Sequence, residues 1–232
     1  QPTLPTRRAA FDKNNILNDS TKVVDVTKLP IDLAYMVISC AELPQSKGDK
    51  KSATVTFVDR IDSSRSFTCS GAEVDVQGTT SAKYPVKNLT FKALQGFNMN
   101  GELKETYALR TGDIPVDKFC IKVDYASSEG VNNVGLVQLY EDLCDENNYK
   151  SPAQVDHDSD EGHYRQGIAG RPIALFWHDS VHNETNFIGK ANFNNDKSTF
   201  DLFGFPLYNN CEVWDFRNNT SNLTLFKSDD FS

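Results

Sequence analysis

The sequence predicts an α+β fold: mainly antiparallel sheet, few helices and an irregular, aromatic-rich C-terminal part. Three patterns predict it. Apolar and polar residues alternate with period two between residues 55 and 93. One clear helical spacing follows residue 130. In the last quarter Phe200, Phe203, Phe205, Trp214, Phe216 and Phe226 stand among Asn and Asp. Period two is the spacing of a strand with one wet face, whereas a 3–4 spacing marks one face of a helix.

Taken in order, residues 1–30 hold three prolines and little periodicity, which predicts an extended N-terminal arm ahead of one domain over 31–232. The apolar run from Ile31 to Leu43 fits a strand or a buried helix, and periodicity alone does not choose between them. Gly48 and the charges around it then break the run. Val55 with Phe57, Ala72 with Val74 and Val76, and Leu89 with Phe91 and Ala93 mark buried strand faces. Glu73, Asp75, Thr90 and Lys92 lie on the opposite faces. Residues 77–85 read as the turn between the last two of these strands.

Residues 118–126 are again strand-like. Ser127 or Ser128 can then cap a helix that carries Val134, Val137, Tyr140 and Cys144 on one face. Residues 145–167 are polar and acidic, so a loop is expected. Ile173–Trp177 forms a continuous apolar run, as in a strand buried on both faces, and Phe187–Phe193 can pair with it across a turn.

Composition narrows the function classes. The formal net charge is −8, from 24 basic and 32 acidic residues, and no stripe of Lys and Arg is present to track phosphates. Nucleic acid is therefore not an expected partner. No apolar run reaches the length of a membrane span, and the first residues lack the apolar centre of a signal peptide, so membrane insertion is not expected either. Cys40, Cys69, Cys120, Cys144 and Cys211 are odd in number and widely spaced, which fits small buried strand residues better than a disulfide framework or a zinc site.

Three stretches, in order, resemble the CotH-like kinase family as it occurs inside large bacteriophage structural proteins. Residues 76–93 ("VQGTTSAKYPVKNLTFKA") resemble its glycine turn, Tyr-Pro-x-Lys and following strand. Residues 119–143 ("FCIKVDYASSEGVNNVGLVQLYEDL") resemble its strand, Asp-Tyr, Ser and helix. Within residues 170–231, "GRPIALFWHD", "FIGKANFNNDKSTFDLFGF" and "CEVWDFRNNTSNLTLFKSDDF" resemble the phage branch most specifically. The resemblance covers roughly residues 70–232 and implies a kinase-N-lobe-like module. Family members continue into a second lobe that carries the catalytic and metal-binding acids. No such lobe follows Ser232 in this sequence, so catalysis is not expected.

Candidate sites follow from the residues and the resemblance together. A phosphate cradle needs clustered backbone N–H groups and a nearby cation, which Gly78 and Lys87 can supply, although the stretch matches neither common glycine-rich phosphate motif. Lys87 and Lys92 are candidates to contact a nucleotide's phosphates, as a strand lysine does in kinases, with Asp124 or Glu141 as carboxylate partner. Asp156, Asp158 and Asp160 have the 1, 3, 5 spacing of a calcium loop. Glu161 stands where that loop turns on Gly, and Gly167 where it needs Glu, so no metal site is expected. None of the four histidines has a sequence link to a nucleophile, and no catalytic residue or cofactor is assigned.

The resulting expectation is a virion component of the tail, baseplate or collar, located in the particle and acting in assembly or host attachment. Its partners would be other virion proteins or further copies of itself, docked in part through Phe203, Phe205, Trp214 and Phe216. The alternative is a fragment of a CotH-like kinase that transfers phosphate from ATP.

Overall fold

A computed structural model describes residues 34–78, 81–123, 125, 134–157 and 162–208. The expected arm over residues 1–30 lies outside them. The chain forms β1 (Tyr35–Cys40), β2 (Lys51–Val58), β3 (Phe67–Gln77), β4 (Asn88–Ala93), the short hairpin β5 (Phe97–Met99) and β6 (Glu102–Lys104), and β7 (Lys118–Lys122). Helices α1 (Gly135–Glu146) and α2 (Pro152–Asp156) follow, then the long hairpin β8 (Gly170–Asp179) and β9 (Glu184–Asn195).

The strand order β2-β1-β8-β9-β7-β4-β3 returns to its start because β2 also pairs with β3, so seven strands close a barrel. All its pairings are antiparallel except β1 with β8. The expected α+β, kinase-N-lobe-like architecture is thereby corrected. The protein is mostly β, a closed mixed barrel with two helices among the described residues. Closure gives each of the seven strands a partner on both sides for at least part of its length and leaves β6 as the free edge of an appended hairpin.

Alternation places the inward residues. Met36, Ile38 and Cys40 on β1, Val55 and Phe57 on β2, and Leu89 and Phe91 on β4 are buried, while their neighbours in sequence are half-buried or exposed. On β3 the phase changes: Phe67 and Cys69 are buried, then Ala72, Val74 and Val76. The β2–β3 register shifts at that point, Ala53 facing Ala72 but Val55 facing Cys69, so Ser70–Gly71 form a bulge that returns both halves of the strand to the inside. A Cβ on Gly71 would lie 2.5 Å from the side chain of the exposed Gln95, which would have to shift to admit it.

One end of the barrel is filled by phenyl rings from five strands. Phe57, Phe67, Phe91, Phe119 and Phe193 interlock with centroid separations such as 5.3 Å for Phe57–Phe193 and 5.1 Å for Phe119–Phe193. Phe97 and Tyr107 seal this cluster, and the Tyr107 hydroxyl donates to the Arg65 carbonyl at 3.0 Å. Such pairs add about 0.5–1.5 kcal/mol each beyond the area they bury. Asp59, next to this end, accepts from Arg171 of β8 and from the backbone N–H groups of Ile61 and Asp62. Burial opposes its ionisation, yet these donors hold its carboxyl below the usual range.

Residues 145–167 hold more than the expected loop. Ser151 and Gln154 make a reciprocal capping box around Pro152, which starts α2. The four described cysteines are free and buried. Beyond β9, two 3-10 turns, Phe200–Phe203 and Phe205–Leu207, meet at Gly204 with φ 71°.

Candidate docking surface

The sequence expects α1 to bury Val134, Val137, Tyr140 and Cys144, and the structure corrects that row. Cys144 is buried, Val134 and Val137 are half-buried, but Glu141 occupies the inner position and Tyr140 is 48% exposed. Two contacts with glycine account for this. A Cβ on Gly170 would lie 2.8 Å from Cγ2 of Val134, and one on Gly167 would lie 2.5 Å from Cγ1 of Val137, so the helix lies against backbone there. One turn further on, two guanidinium groups draw Glu141 inward. Arg110 donates to it at 3.2 Å and Arg165 donates to the same oxygen. Arg110 also donates to Gln138 at 2.6 Å, and Arg165 lies 3.6 Å from the buried Asp113.

This polar cluster fixes the helix rather than forming a catalytic pair. Burial pushes the Glu141 carboxyl up to about 7, against the pull of Arg110. Both arginines are engaged by protein carboxylates, which is the arrangement of a structural ion network. Its partners sit on α1, on the 110–113 loop and on the 165–166 segment, so it ties α1 to the rest of the fold. Gln154 and Gln166 extend it to α2, Gln166 donating to Gln154 at 2.8 Å.

The consequence lies on the outer side of α1. Leu136, Leu139 and Leu143 are 59%, 54% and 49% exposed, and Tyr140 stands beside them. Residues at i, i+3 and i+7 share one helix face, so these side chains form a continuous apolar row. Tyr149 after the helix and Val155 of α2 are also exposed. The row was legible in the sequence, where Leu136, Leu139 and Leu143 have helical spacing. Which apolar side faces inward was not, because two sides of α1 carry apolar residues.

The other sequence candidates are dispersed. In the β3–β4 ladder Gln77 faces Asn88 and Glu73 faces Lys92, so Gly78 and Lys87 share one end while Lys92 lies five residues further along. At roughly 3.3 Å per residue that separation is about 16 Å. Lys92 points outward to Asp117 at 3.4 Å, whereas Lys87 donates to the Tyr84 carbonyl at 2.8 Å. Asp124 lies outside the described residues, as do Asp158, Asp160, Trp214 and Phe216. Asp156 accepts from the Tyr208 hydroxyl at 3.1 Å. No group of three or more His, Cys, Asp or Glu suited to a metal occurs among the described residues, and no described helix is long and apolar enough to cross a membrane. Phe203 and Phe205 are half-buried against each other, 5.6 Å apart, and Phe203 packs on the core. No protein-family model matches the chain, and neither does any curated protein or solved structure.

Proposed function

We propose that this chain is a protein-docking module of a bacteriophage particle, in which the barrel is a rigid mount and the outer face of α1 meets a neighbouring virion protein. The observation that carries this reading is the orientation of α1. The helix is fixed to the fold by a narrow row that includes Glu141 and its two arginines, while its three leucines point away from the barrel. An amphipathic helix ordinarily buries its leucines, and an apolar row left outside marks a surface that another protein covers. The resemblance of residues 170–231 to the phage branch of CotH-like proteins supports placing that partner in a virion.

The test uses the whole chain in assembling particles. A photo-cross-linking residue at Leu139 should capture a second virion protein or another copy of this chain. The double variant Leu139→Asp/Leu143→Asp should keep the melting temperature of the parent and lose incorporation into particles. Normal incorporation of a folded double variant rules this reading out.

A further inference from the structure

The two ends of the barrel are filled differently. Phenyl groups occupy one end, but towards the other the inward residues are mainly aliphatic: Leu89 stands two residues before Phe91 on β4, and Ile38, Leu175 and Ile188 face the same space. The wall is also incomplete there. β7 pairs with β9 only over Asn192–Asn195, so along Glu184–Ala191 the ladder of β9 is made with β8 alone. A cavity of about 340 Å³ opens at this place, walled by those four aliphatic side chains and Trp177. Its size lies at the lower end of ligand pockets, which run from about 300 to 1,000 Å³ and favour the mouths of barrels.

Lys87 is the single charged residue in the lining. It precedes β4 in the inward phase of Leu89 and Phe91, which places it at the mouth rather than on the outer wall, where Lys92 lies. Its ammonium is steadied by the Tyr84 carbonyl at 2.8 Å, one of the three hydrogen bonds a lysine can donate. A cavity lined mostly by apolar side chains, with the exposed Gln45 and a single fixed cation as its polar side chains apart from the Trp177 indole N–H, is complementary to a molecule that has an apolar body and one anionic end.

We propose that the barrel mouth binds a free fatty carboxylate, its alkyl chain among Ile38, Leu89, Leu175 and Ile188 and its carboxylate at Lys87. Decanoate, titrated below its micellar concentration into the full chain and followed by calorimetry and methyl NMR, is the probe. Saturable binding is expected, with shifts at Ile38, Leu89 and Ile188. Decanol should bind at least tenfold more weakly, and Lys87→Met should reduce decanoate to the level of decanol without changing the melting temperature. Leu89→Trp should fill the cavity and abolish binding of both; if that variant does not fold, the Lys87→Met and decanol comparisons still decide. The proposal is overturned by absence of saturable decanoate binding, by unchanged affinity in Lys87→Met, or by sedimentation with phosphatidylglycerol vesicles in place of decanoate binding.

Discussion

Glu141 shows how much one residue can set. It sits 7% exposed between Arg110 and Arg165, so truncation would leave both guanidinium groups near a void. Glu141→Ala should destabilise the fold by about 1–3 kcal/mol, the usual result of leaving buried donors without their acceptor. Its titration has a definite sign. Because its carboxyl is raised from 4.5 to about 7, the folded protein holds a proton between those values that the unfolded chain has released. Stability from this group is fully present below pH about 4.5 and declines as pH rises towards about 7. Urea unfolding from pH 5 to 8 should show that decline in the parent, and Glu141→Gln should flatten it. Cys120 provides a second check at this scale. Burial pushes its thiol up to about 12, aided by the neighbouring Asp196, so iodoacetamide at pH 8 should leave it unmodified until the protein is unfolded.

At the scale of elements, α1 depends on a close approach that glycine permits, and β3 on its bulge. Gly167→Ala would place a methyl group 2.5 Å from Val137 and push α1 off its seat. We expect a loss of about 1–3 kcal/mol, as in other overpacked contacts, with partial recovery in the double variant Gly167→Ala/Val137→Ala. On β3 the bulge keeps two inward runs in phase. Deleting the exposed Ser70 would turn either Phe67 and Cys69 or Ala72, Val74 and Val76 towards solvent, because side chains alternate with period two. That deletion should prevent cooperative thermal unfolding, while Ser70→Thr should leave the transition within a few degrees of the parent. The alternation on either side of the bulge is legible from residue types alone. The helix α2 was legible too, through the Ser-Pro-x-Gln pattern at Ser151–Gln154, but the polar and acidic residues around it read as loop.

For the whole molecule, closure determines which segments are stable. Every strand of the barrel has partners on both sides for at least part of its length, whereas β6 pairs with β5 alone. Native-state hydrogen exchange should therefore find the amides of β1 and of β8 over Ile173–Trp177 as slow as those of β2, with β6 exchanging fastest among the strands. Rapid exchange along β8 would contradict a closed barrel. The sequence by itself determined the strand faces at Val55–Phe57, Val74–Val76 and Leu89–Phe91, the β8–β9 hairpin and a helix through Val137, Tyr140 and Cys144, because each rests on a period that is local in the chain. The tertiary structure alone decided that β2 meets β3 while β8 slides in beside β1, that Glu141 rather than Tyr140 turns inward, and that Lys87 stands at a barrel mouth. Those outcomes depend on pairings between residues such as Val37 and Phe176, far apart in sequence, whose energies belong to contacts that no local period records.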